Sequence, residues 1–237
     1  MSIVEYIPEN EFYESIDKQL FQPGQLCWLP VPHIDPIPRI LAVERSSPEE
    51  HEELKFRLRE ANQKGDFKAP DRTLPLKHVP LRSNEELLVQ KAKRRRGVIL
   101  ARGMDIYEDI TPILRQKAKK HLQEDALFLI PLYGIQQEEY GAGFPPEMVA
   151  RIKCLLYRQF FYFPSHGVLR EAVARFDRIQ VVVSRNPAAI DPIDFCLSGT
   201  SFAVFLAMFI YCMTGQEDED LGTLRELCRE AYPQDLS

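Results

Sequence analysis

Cysteine pairs, glycine-rich loops and clustered histidines are all missing from this 237-residue chain. The five cysteines, Cys27, Cys154, Cys196, Cys212 and Cys228, contain no CxxC and are odd in number. That pattern excludes a disulfide framework and reads as free thiols in a reducing compartment, so a cytoplasmic protein is expected. The N-terminus has no basic region followed by an apolar run, so no signal peptide is expected. His33, His51, His78, His121 and His166 form no HxH, no HExxH and no His/Cys pair at ligand spacing, so no metal is expected. The glycines build neither GxxxxGK[ST] nor GxGxxG, which removes the support for a nucleotide cofactor, and no GxSxG marks a hydrolase elbow.

Long hydrophobic runs are scarce as well. Residues 195–213 form one stretch of 19 without a charge, which touches the length of a membrane span. Asp191 and Asp194 precede it, Glu217, Asp218, Glu219 and Asp220 follow, and no Lys or Arg stands beside either end to set a topology. Ser198-Gly199-Thr200-Ser201 reads as a helix start and shortens the apolar part to about three turns. A buried core helix is expected, and no membrane.

Positive charge is in deficit: 30 Lys and Arg against 35 Asp and Glu give a net charge of −5. Such a chain does not coat nucleic acid non-specifically, so any nucleic-acid site must be a confined patch. The hydrophobic fraction of 45% is enough for a real core without a disulfide or metal staple.

Against that acidic background one segment stands out. Lys91-Ala92-Lys93-Arg94-Arg95-Arg96 places five cations directly before the apolar Gly97-Val98-Ile99-Leu100. On a strand, Lys91, Lys93 and Arg95 share one face and Arg94 and Arg96 the other. Such a row suits successive phosphates of a nucleic acid, and an arginine suits charge developing on phosphorus. It equally suits a solvated strand edge. The residues leave both readings open.

Around the cluster, short strands come first and helices last. Phe12, Tyr13, Ile16 and Leu20 follow helical spacing, and Pro23-Gly24 marks a turn. Strands are expected over residues 25–30, 39–44, 54–59, 87–89, 98–101, 126–133 and 176–183. Ser47-Pro48 reads as a helix start, and 103–124 as a polar connection. Pro145-Pro146 opens a helix whose apolar side runs to about Tyr162, with Pro164 ending it. The aromatic run Tyr157–Phe163 can stack bases beside Arg158, but its spacing and context favour core packing. Helices are expected near 199–213 and 218–231. This order implies an α+β fold: a small, highly curved barrel with helical packing. The segments are a helical arm 1–22, a barrel with insertions 23–190 and a helical extension 191–237.

Four pieces of the chain, in order, resemble the MazF/PemK family of toxin ribonucleases. Pro23-Gly24-Gln25-Leu26-Cys27-Trp28 resembles the opening strand, and Arg95-Arg96-Gly97-Val98-Ile99-Leu100-Ala101 the family's Arg-Pro-Ala-Val-Val-Leu-Ser strand. Leu129-Ile130-Pro131-Leu132-Tyr133 resembles its Val-Pro-x-Thr strand end, and Ala174–Ile179 its late strand with Asp-Gln. The resemblance implies an SH3-like barrel and metal-independent, cofactor-free endoribonuclease activity on single-stranded RNA, through attack of a ribose 2′-hydroxyl on the adjacent phosphate. It implies catalytic roles for Arg95 and for Tyr133, with Lys91, Lys93, Arg94 and Arg96 binding RNA. It also implies an acidic, antitoxin-like protein partner; a homodimer through the C-terminal helices is a further expectation. The chain departs from the family pattern in having Tyr133 where the family has Thr or Ser, and Arg96 in place of the proline. Long insertions also follow Trp28 and Tyr133. The alternative is a non-catalytic barrel that binds RNA or a protein through the same basic edge.

Overall fold

The computed structural model describes residues 1–45, 54–68, 72–74, 79–103, 108–117, 119, 122, 125–135, 143–167, 169–183, 186 and 189–232. In chain order the elements are α1 (Ile3–Tyr6), β1 (Tyr13–Ser15), β2 (Gln25–Pro32), β3 (Arg39–Arg45), β4 (Leu54–Glu60), β5 (Arg72–Leu74), β6 (Val79–Leu81), β7 (Leu88–Val89) and β8 (Ala92–Arg102). Then follow α2 (Thr111–Gln116), β9 (Leu127–Gly134), α3 (Pro146–Lys153), β10 (Phe160–Phe163), β11 (Ala172–Arg175), β12 (Gln180–Val182), β13 (Asp191–Leu197), α4 (Gly199–Thr214) and α5 (Glu219–Glu230). The class is α+β. The chain divides into two compact units: Met1–Val31 with Arg94–Ser237, and Pro32–Lys93.

The first unit is built on a strongly curled antiparallel sheet in the order β1-β13-β2-β8-β9-β11-β10, with β12 also pairing β9. β9 sits centrally, as its two-sided apolar character requires. Ile130 and Leu132 join the core that contains Val98, Phe161, Phe163 and Phe205. Leu127 and Leu129 point to the other side, into a smaller core with Cys27, Leu29, Ile99 and Ile190. The alternation follows from the two-residue period of a strand. α4 closes the larger core. Ser198 caps it by accepting from the Ser201 N–H, Gly215 ends it at φ 75°, and Phe205 lies 5.4 Å from Phe161 and 5.2 Å from Phe176, ring centre to ring centre.

The second unit holds a three-stranded sheet, β4-β3-β7, and the hairpin β5–β6. Leu41 faces Leu58 and Val43 faces Phe56 across the β3–β4 ladder. No single described helix is long and apolar enough to cross a membrane.

Several local expectations give way to packing. Residues 1–22 are no separate arm: Ile3, Ile7, Phe12 and Phe21 are buried, and Tyr13 begins a strand paired with β13. Of the residues whose spacing suggested a helix there, Phe12 and Tyr13 are buried, while Ile16 is half-buried and Leu20 exposed. The helix expected to reach Tyr162 stops at Lys153, where Cys154 caps it and Leu155 takes φ 54°. All four residues of Phe160–Phe163 are buried, in a strand, because aromatic side chains need cover on both faces and a strand offers it. The strand expected over 176–183 is broken by a 3-10 turn, Phe176–Arg178, and β11 before it was not foreseen. Asp191–Leu197 is a strand, so the C-terminal helices begin only at Gly199. The expected helix start at Ser47 lies outside the described residues.

Candidate nucleic-acid interface

β8 delivers the basic cluster to the sheet, and Gly97 makes the delivery possible. A Cβ at Gly97 would stand 2.7 Å from a Leu29 methyl and 3.2 Å from the Ile130 carbonyl oxygen. Only glycine lets β8 lie this close to β2 and β9.

The three consecutive arginines end in three different environments. Arg94 donates from Nη2 to Asp191 Oδ2 at 2.7 Å, and its guanidinium carbon lies 4.8 Å from the Trp28 ring centre. Its charge is matched. Arg96 donates to the Arg170 carbonyl at 2.6 Å, and burial pushes its pKa below the ordinary arginine value. Arg95 stacks on Tyr133, with its guanidinium carbon 4.3 Å from the ring centre, and makes no ion pair among the described residues. Lys91 and Lys93 are exposed and belong to the second unit.

The meeting of Arg95 and Tyr133 follows from register. β8 and β9 are antiparallel with Gly97 opposite Pro131 and Val98 opposite Ile130. Two residues further along that register, Arg95 faces Tyr133. Directly opposed residues on one face of a ladder are within side-chain reach.

A second guanidinium reaches the same ring from the other neighbour of β9. Arg175 lies with its guanidinium carbon 5.3 Å from the Tyr133 ring centre and 6.0 Å from that of Phe160. Ala174 stands opposite Leu132 and Gln180 opposite Leu129, so residues 175–179 bulge against Ile130 and Pro131. Pro131 has no N–H to give to a ladder, and the edge pairing breaks beside it. Phe176 anchors the bulge, packing on Phe205 and Phe209, while Asp177 stays exposed and Arg178 half-buried. Arg175 grips Asp177 through two hydrogen bonds of 3.0 and 2.5 Å, and Arg178 Nε lies 3.2 Å from the same carboxylate. Burial pushes the Asp177 carboxyl up, but the Arg175 hydrogen bond and the two positive charges outweigh it, and the net shift is downward. The same hydrogen bond raises Arg175.

Arg175, Asp177 and Arg178 were not among the residues that sequence reasoning selected. The available signal was the alternation Arg175-Phe176-Asp177-Arg178, one apolar anchor and two cations about one anion, which a strand assignment obscured.

Among the described residues no group of His, Cys, Asp or Glu is arranged to hold a metal ion. What the site presents is one guanidinium without an ion-pair partner among the described residues, a phenol, and a second guanidinium shared with a carboxylate. Such a set can bind a phosphodiester by charge-assisted hydrogen bonds and can stack a base. Comparison with protein-family models, with curated proteins and with solved structures returned no match.

Proposed function

We propose that the chain acts on single-stranded RNA at the Arg95–Tyr133 pair, as an endoribonuclease of the MazF/PemK kind on an SH3-like barrel. The supporting observation is that Arg95, alone of the three consecutive arginines, has no carboxylate or carbonyl partner among the described residues and stacks beside the Tyr133 phenol. An unpaired guanidinium held in place by a ring is suited to a phosphate.

In this reading the ribose 2′-oxygen forms a bond to phosphorus and loses its proton, and the bond from phosphorus to the 5′-oxygen breaks. That 5′-oxygen takes up a proton, which leaves a 2′,3′-cyclic phosphate and a 5′-hydroxyl. Arg95 stabilises the charge that builds on the non-bridging oxygens. The Tyr133 hydroxyl donates a hydrogen bond at the same phosphate. An acidic protein segment, in the role of an antitoxin, would compete for Arg95.

The test is incubation of end-labelled single-stranded RNA in EDTA with wild type and with Arg95→Ala. Cleavage by the wild type and at least a hundredfold less by the variant is expected, the scale of losing one transition-state donor at about 10²–10³. RNA that is bound in a salt-dependent way yet stays intact would leave a binding module in place of an enzyme.

A further inference from the structure

We propose that Arg175 and Arg178 form a second phosphate subsite beside Arg95, and that the Asp177 carboxylate occupies it as a displaceable internal anion. This rests on the phosphodiester reading of Arg95 and Tyr133. It narrows the ligand to a strand with at least two consecutive phosphates, and it makes the empty site partly self-inhibited.

The Arg95 and Arg175 guanidinium carbons both lie within 5.3 Å of the Tyr133 ring centre. They approach from strands on either side of β9. A nucleotide placed over this ring therefore meets a cation from each neighbour.

The Arg175–Asp177 contact is a two-pronged fork, from Nε and Nη2 to the two carboxylate oxygens. A phosphate offers two oxygens in the same arrangement, so the carboxylate sits where a phosphate would. Arg178 meets the same carboxylate at 3.2 Å, so two guanidiniums converge on one anion position.

Asp177 is also placed to leave. Its partners are two residues before it and one after it, within a single turn, so its ion pairs join no distant elements. Its side chain is 40% exposed. Phe176 anchors the turn in the core, independently of the carboxylate's ion pairs. A phosphate can displace Asp177 while the backbone stays where it is.

The experiment is binding of a fluorescein-labelled oligouridylate ten nucleotides long, followed by anisotropy at several salt concentrations. Wild type, Asp177→Asn, Arg175→Gln, the Asp177→Asn/Arg175→Gln double variant and Arg95→Ala are compared. Asp177→Asn is expected to bind about fivefold to tenfold tighter, with a salt slope steeper by about 0.7, one more neutralised phosphate on a single strand. Arg175→Gln is expected to bind more weakly and to abolish the gain from Asp177→Asn, a coupling that a merely structural aspartate would not give. If Arg95→Ala weakens binding but Asp177→Asn and Arg175→Gln leave it unchanged, the second subsite is wrong and the first reading stands. If neither Arg95→Ala nor these variants alter binding, both are wrong. A measurement on the unaltered protein guards against a folding defect. Inorganic phosphate titrated into the wild type should shift the Arg95 and Arg175 Nε resonances together in a nitrogen–proton correlation spectrum. Movement of Arg95 alone overturns the subsite.

Discussion

The Arg95 guanidinium carbon lies 4.3 Å from the centre of the Tyr133 ring, although 38 residues separate the two in sequence. The contact is made by strand register, and on the proposed function the ring and the hydroxyl of Tyr133 have separate tasks. Tyr133→Phe keeps the ring and should bind RNA within about twofold of wild type, while cleavage falls by about 10² or more, the scale of a general acid–base or hydrogen-bonding group. Tyr133→Ala should lose binding as well, because the cation–ring attraction of about 0.5–1 kcal/mol that positions Arg95 is gone. Equal cleavage by wild type and Tyr133→Phe would remove the phenol from the mechanism.

Gly97 connects the basic cluster to the core. Gly97→Ala should cost about 1–3 kcal/mol, the usual scale of an overpacked site, because its methyl meets Leu29 and the Ile130 carbonyl. Gly199→Ala is the control: nothing lies within 4 Å of a Cβ there, so the change should stay under about 1 kcal/mol. Urea midpoints of the two variants, at equal m-values, decide the comparison. Equal effects would mean that β8 can move away from β2 and β9 freely.

Arg225 on α5 is buried, donates to the Leu155 carbonyl at 3.0 Å, pairs with Glu217 and lies 4.5 Å from the Tyr211 ring centre. Leu155 has φ 54°, so its carbonyl is turned out of the helix pattern and depends on this donor. Arg225→Leu should lower stability by about 1–3 kcal/mol through that unmet acceptor, and Arg225→Lys should restore it only partly, lacking the fork. A thermal melt unchanged in Arg225→Leu would show that α5 is held by its apolar side alone.

Burial pushes the Cys228 thiol up to about 11 from its ordinary 9.0, and Cys154 adds in the same direction. The unfolded thiol ionises near 9 and the native one near 11. Unfolding therefore releases a proton in that window, and stability falls as pH rises from about 9 to about 11, with no effect of this group below. Other groups titrate there too, so the informative quantity is wild type minus Cys228→Ala. That difference should shrink over the window; a constant difference would show the thiol uncoupled from folding.

The parts of the fold that sequence made legible are those with one dominant local signal. Residues 126–133 are apolar on both faces and became the central β9, and the helix start read at Ser198 is the N-cap of α4. The aromatic run at 160–163 misled because its spacing fits a helix while its burial on every side needs a sheet. Phe12 could not be placed from local pattern, because two of its ring partners, Phe161 and Phe163, lie more than a hundred residues away. At the site, Arg95 and Tyr133 were singled out by resemblance, and that their side chains meet is a product of the β8–β9 register, which the sequence did not predict. Arg175 and Asp177 were not, because the bulge that presents them depends on Pro131 in the neighbouring strand.

Mass spectrometry of RNA fragments formed by the purified chain in EDTA tests most directly the proposed promotion, by Arg95 and Tyr133, of attack of a 2′-hydroxyl on its own phosphate. Fragments ending in 2′,3′-cyclic phosphate with 5′-hydroxyl partners, absent with Arg95→Ala, are the predicted result. Fragments with 3′-hydroxyl and 5′-phosphate ends, or the same cyclic ends at the same rate from Arg95→Ala, would contradict it.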